Sequence, residues 1–194
     1  MFLGADMLPD NSLSTLTDEA NFLVPDSSPL LDFELGGVAL NDTSQGLRFQ
    51  TWSCIYEDGV VKAVSEIGDK FDIITVSGLT ELSIAFDQNM RPTLVYVANE
   101  TAYLYWFDTL TNSQTTTELE VGVITPKISL DDSRPNQTVS SDIILAYIRD
   151  GSLCMRVQRD RYGVEYKLTP VESTTKLAQI GMSDVNRFQF KVLG

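Results

Sequence analysis

The stretch Lys127 to Thr169 constrains this chain more than any other, because it reads as four short strands in succession: KISL, DIILAYIRD, SLCMRVQRD and GVEYKLT. In the central pair, Ile143, Leu145 and Tyr147 alternate with Ile144, Ala146 and Ile148. Beyond Asp150-Gly151, Leu153, Met155 and Val157 alternate with Cys154, Arg156 and Gln158. Period-two alternation on both sides of Asp-Gly is the strongest short-range hairpin signal. The stretch predicts an antiparallel meander.

The pattern recurs twice upstream. One set is LRFQTWSCIY, Glu57-Asp58-Gly59, VVKAVSEI and FDIITVSG. The other is LSIAFD, a turn over Gln88 to Pro92, TLVYVA, Asn99-Glu100, TAYLYWFD and TTTELEVGV. The hairpin turns fall near positions 58, 99 and 150, spacings of 41 and 51 residues. Four-stranded units of this size are the size of propeller blades, but three are fewer than the four or more that usually close a ring. The expected fold is therefore all-β: repeated four-stranded antiparallel meanders, propeller-blade-like or stacked as a sandwich or open array, completed by neighbouring subunits. The body is expected over 47–194, with units at about 47–79, 80–125 and 126–194. The tail KLAQIGMSDVNRFQFKVLG reads as one or two closing strands with Phe188, Phe190 and Val192 on one side.

Residues 1–46 differ in kind. The net charge of the chain is −13, and before Arg48 there is no Lys or Arg, while Asp6, Asp10, Asp18, Glu19, Asp26, Asp32, Glu34 and Asp42 all fall there. Small apolar islands, Phe22-Leu23-Val24, Leu30-Leu31 and Phe33 among them, are separated by prolines and polar residues, and neither the helical nor the strand period persists. One-sided charge with low net hydrophobicity disfavours a self-contained core. The segment reads as an extended acidic arm that lays Phe22, Leu23, Leu30, Leu31 and Phe33 into grooves of a partner or of its own body.

The chemistry-bearing residues are sparse. With no histidine, the chain lacks the usual base of nucleophilic triads and the commonest zinc ligand. Cys54 and Cys154 each sit in an apolar strand pattern and read as buried free thiols. No glycine-rich phosphate loop or nucleophile elbow occurs, and no metal or other cofactor is expected. Asp87, Asp108, Asp131, Asp132, Asp150 and Asp160 gather at strand ends, where carboxylate catalysis is the sharper reading and turn capping the plainer one. Arg149, Arg156, Arg159 and Arg161 form the basic cluster of the chain. As a site, Arg156, Arg159 and Arg161 would anchor an acidic partner segment such as the arm; as scaffold, the whole cluster would pair locally with Asp150, Asp160 and Glu165. The aromatics of AYLYWFD fit a core strand better than a stacking platform. Three Asn-x-Thr sequons, at Asn41, Asn99 and Asn136, read as chance in a Thr-rich chain. The acidic balance disfavours nucleic acid. No run of about 18 apolar residues predicts a membrane span, and MFLGADMLPD has neither the basic nor the apolar region of a signal peptide.

At SSDIILAYIRDGSLCMRVQRDRYGVEYKL, and again at IGMSDVNRFQFKV, the sequence resembles virion structural proteins of tailed bacteriophages, of the small β-rich kind found in tail and fibre-attachment assemblies. The resemblance covers roughly Trp52 to Val192 and leaves out the acidic arm. It implies a non-enzymatic part assembled in many copies with other virion proteins and with itself, put together in the host cytoplasm and resident in the virion, with no catalytic residue carried over. A β module that recognises a host-surface glycan through rim aromatics is the alternative expectation, and a histidine-free glycosidase the third.

Overall fold

The computed structural model describes residues 37–43, 46–65, 68–87, 91–131, 141–182 and 187–194, with side chains described from residue 52 onward. These residues form an all-β fold of three four-stranded antiparallel meanders and a terminal hairpin. Sheet one runs β1 (Gly37–Thr43), β2 (Gly46–Glu57), β3 (Val60–Ser65) and β4 (Lys70–Thr75). Sheet two runs β5 (Leu79–Phe86), β6 (Pro92–Ala98), β7 (Thr101–Asp108) and β8 (Ser113–Glu118). Sheet three runs β9 (Ile124–Leu130), β10 (Ile143–Arg149), β11 (Ser152–Val157) and β12 (Tyr166–Pro170). The hairpin is β13 (Lys176–Met182) and β14 (Phe188–Leu193).

The hairpin between the second and third strands is the same device in every sheet. Asp58-Gly59, Asn99-Glu100 and Asp150-Gly151 all carry positive φ at both positions, between 50° and 79°. Paired left-handed residues give the twist that a two-residue hairpin needs, so these turns set the register of each meander. They occupy the positions that the sequence spacing singled out.

Between the sheets the alternation of the strands builds three cores, one at each junction. In sheet two, Leu82, Ile84, Phe86, Leu94 and Tyr96 pack with Trp52, Cys54, Val61 and Ala63 of sheet one. Ala85, Val95, Leu104 and Trp106 turn the other way and meet Ile143, Leu145, Tyr147 and Cys154 of sheet three. Sheet three repeats the arrangement, since Ile144, Ala146, Ile148, Leu153 and Met155 face Leu177, Phe188 and Phe190 of the hairpin. A strand covered on both faces needs apolar residues at consecutive positions, which is why β10 is buried from Ile143 to Ile148. The first strands lie side by side, β1 against β5, β5 against β9 and β9 against β13, so the sheets fan out from a seam of inner strands in the way propeller blades do. Hydroxyls stitch that seam. Ser83 Oγ accepts from the Ile128 N–H at 3.2 Å and donates to the Ile128 carbonyl at 3.4 Å, and Thr125 Oγ1 accepts from the Leu177 N–H at 2.9 Å.

Three boundaries differ from the sequence expectation. Residues 37–43, assigned above to the arm, form β1 and pair with β2 from Gly37↔Trp52 to Thr43↔Gly46. GVALNDT is short and rich in turn formers, and it becomes a strand by completing the edge of β2. The third unit does not run to the end of the chain. It closes at Pro170, and β13 and β14 make a separate two-stranded sheet. Finally, β11 stops at Val157, because Gln158–Asp160 turn as a 3-10 segment that ends on left-handed Arg161 and Tyr162. The arm islands Phe22, Leu23, Leu30, Leu31 and Phe33 lie outside the described residues.

Candidate functional site

The polar features of the described surface converge where sheet two meets sheet three, around the turn that follows β11. That turn reverses tightly: the Tyr162 N–H bonds the Val157 carbonyl at 3.0 Å and the Gly163 N–H bonds the Asp160 carbonyl at 2.9 Å. The reversal carries the Tyr162 ring into the interface, edge-on to Trp106 of β7 at 5.3 Å.

Beside it lies a closed loop of hydrogen bonds and ion pairs. Tyr147 Oη donates to Glu165 Oε2 at 2.6 Å and accepts from Arg156 Nε at 2.8 Å. Arg156 also donates to the Tyr162 carbonyl at 2.6 Å and pairs with Glu120. Glu120 reaches Arg149 at 3.5 Å, and Arg149 returns to Glu165 at 2.9 Å. The loop joins the β8–β9 connection, β10, β11 and the segment before β12. Two guanidinium and two carboxylate groups balance its charge. Burial, reinforced by the Glu165 carboxylate, lifts the Tyr147 phenol far above its ordinary range, against the lowering pull of Arg156. Tyr147 is therefore a fixed donor and not an acid or base near neutrality.

The remaining arginines behave alike. Arg161 Nη2 meets Asp108 Oδ2 at 2.5 Å, with its guanidinium 5.9 Å from the Trp106 ring centre. Burial by itself would raise the Asp108 carboxyl, but the Arg161 bond and the Leu110 N–H outweigh it and hold the carboxyl below its usual value. Arg159 pairs with Asp142 and stands 3.8 Å from Asp131. All three expected anchor residues, Arg156, Arg159 and Arg161, thus hold acids of their own chain. Those acids are Asp108 of sheet two, Glu120 of the β8–β9 connection, and Asp131 and Asp142 beside β9 and β10 of sheet three. Of the local partners expected for the cluster, Asp150 and Glu165 pair with Arg149, and Asp160 accepts from Tyr166; Glu120, Asp108, Asp131 and Asp142 carry no sequence signal beyond being acids near strand ends.

The aspartates at the strand ends hold backbone. Asp87 Oδ1 accepts from the Arg91 N–H at 2.9 Å, Asp108 Oδ1 from the Leu110 N–H at 2.9 Å and Asp131 Oδ1 from the Asp142 N–H at 2.6 Å. Asp160 accepts from Tyr166 Oη at 2.7 Å, and Asp150 stands 3.5 Å from Arg149. Asp132 lies outside the described residues. In β7, Leu104 and Trp106 face sheet three, while Tyr103 and Tyr105 lean on the core shared with sheet one, where Tyr103 stacks on Tyr96 at 5.3 Å. Cys54 and Cys154 are free and buried. Among the described residues no group of three or more Cys, Asp or Glu is placed to hold a metal ion, and no helix is long and apolar enough to cross a membrane.

Comparison with protein-family models, with curated proteins and with solved structures finds no match for this chain.

Proposed function

We propose that this protein is a non-enzymatic structural component of a tailed-phage virion, in the tail or tail-attachment region, assembling in multiple copies through its β body and its N-terminal arm. The resemblance of the sheet-three and hairpin sequences supplies the class. One structural observation carries the assembly reading: among the described residues, β1 and β13, the two end strands of the seam, do not pack on each other as β5 packs on β9 and β9 on β13, so the stack of described sheets is open. An open stack of this kind gains stability from whatever covers its ends.

The polar network supports the same reading, because its charges are balanced internally and tie strands together. The glycan-binding alternative needs exposed aromatics, and those of β7 pack inside the stack. The test is deletion of residues 1–36, which leaves β1 intact. The shortened protein keeps its near-ultraviolet circular dichroism and fails to enter particles or form oligomers. Assembly at the wild-type level would overturn the proposal.

A further inference from the structure

The outermost strands of the three four-stranded sheets are β4, β8 and β12, and two of them carry the ordinary protections of an edge. β4 holds Lys70 and Asp72, and its ladder with β3 slips between Val61 and Lys62. β12 holds Lys167, ends on Pro170, and has a ladder with β11 that slips between Leu153 and Cys154. Lysine, proline and bulges keep one sheet edge from pairing with another. β8 has none of these. Its sequence SQTTTE carries a single charge, at its last residue, and five of its six residues are exposed. It pairs with β7 at six consecutive positions without a slip, from Tyr103↔Glu118 to Asp108↔Ser113. Among the described residues β7 is its one neighbour in the sheet.

One bond fixes which way the backbone of β8 points. The Leu119 N–H donates to the Ala102 carbonyl at 2.8 Å, one step beyond the Tyr103↔Glu118 pair. Hydrogen-bonded pairs alternate along an antiparallel ladder, so Ser113, Thr115 and Thr117 turn their N–H and C=O toward β7. Gln114, Thr116 and Glu118 turn theirs to the open edge.

We infer that β8 pairs with β8 of a second copy, antiparallel about a two-fold axis at Thr116, so that two copies of sheet two become one continuous sheet. The inference rests on the proposed assembly in multiple copies and names a contact made by the β body. Copies of a chain with net charge −13 repel one another, which favours contact where the surface is close to neutral, as β8 is. The register follows from the backbone. With Thr116 opposite Thr116 of the second copy, Gln114 of each strand lies opposite Glu118 of the other, and all three outward residues of both strands find partners. Sliding by two residues either way leaves one outward residue of each strand unmatched. The same register keeps the two Glu118 carboxylates apart and sets each against a glutamine amide, where like charges directly opposite would be unfavourable.

The test uses the full chain, read by sedimentation and by hydrogen exchange resolved to single amides. Self-association of the wild type slows exchange at the Gln114, Thr116 and Glu118 amides at least about tenfold, and dilution to monomers removes that protection. Gln114→Glu places like charges opposite each other twice in the contact and weakens the dimer about two- to thirtyfold; adding Glu118→Lys to it restores dimerisation. Thr116→Pro removes an N–H that β7 does not use and gives a monomer with wild-type near-ultraviolet circular dichroism. Should that variant not fold, the two changes at exposed Gln114 and Glu118 decide. If the self-associated wild type leaves the three amides unprotected, or Gln114→Glu dimerises as the wild type does, the copies meet elsewhere and this inference alone fails. A wild-type chain that stays monomeric at every concentration also overturns it, while particle entry after deletion of residues 1–36 judges the assembly reading separately.

Discussion

Tyr147 Oη accepts from Arg156 Nε at 2.8 Å while donating to Glu165 at 2.6 Å, so one buried oxygen holds both a cation and an anion in place. The tyrosine is fully buried, and both partners are nearly so. Its hydroxyl is the link between the ring of charges and the core of sheets two and three, for the same side chain lies among Leu145, Trp106 and Cys154.

Replacing Tyr147 by Phe keeps the ring and removes that oxygen. Arg156 Nε and Glu165 Oε2 each lose a partner where water has little access, and the expected loss is about 1–3 kcal/mol in urea unfolding. Tyr147→Phe with Glu165→Gln should cost less than the sum of the two single changes, because they share one interaction. Full additivity would show that the ring does not act as a unit.

The same hydroxyl sets a pH dependence. Its folded-state pKa is raised, chiefly by burial, above the unfolded value of about 10. Above that value the unfolded chain releases the proton and the folded chain keeps it, so this group's contribution is complete below about pH 10 and is lost as pH climbs toward the folded value. Buried Tyr162 and Cys54 act in the same sense. Urea midpoints should therefore fall on the alkaline side in the wild type and fall less steeply in Tyr147→Phe. Parallel curves would refute the assignment.

Turn chemistry gives a prediction of opposite sign. Glu100 sits at φ +66° where the equivalent turns of sheets one and three place Gly59 and Gly151. Glu100→Gly should stabilise the protein by about 1 kcal/mol, seen as a raised Tm, because a side chain in the left-handed region is strained by that order. Gly78→Ala should do the reverse. Gly78 has φ +70°, and a Cβ there would lie 2.2 Å from Asn99 Oδ1, displacing the amide that bonds the Ser77 carbonyl at 3.3 Å. A loss of about 1–2 kcal/mol is expected.

Much of the architecture could be read along the chain because it is decided locally. Asp58-Gly59, Asn99-Glu100 and Asp150-Gly151 demand tight turns wherever they stand, and the alternating runs beside them can satisfy their backbone only as paired strands. The residues that became β1 carry no such signal, since GVALNDT is a strand only when β2 offers an edge. Nor does linear order say that Arg161 finds Asp108, 53 positions away, or that Arg156 finds Glu120, 36 positions away.

By itself, then, the sequence determined the all-β class, the three meanders and the positions of their hairpins, through turn geometry and period-two burial that act over a few residues. Tertiary structure alone decided which face of each meander meets which neighbour, how the arginines find their acids, and that β13 and β14 form a sheet of their own. Those outcomes depend on surfaces that exist only after the strands have paired and the sheets have stacked.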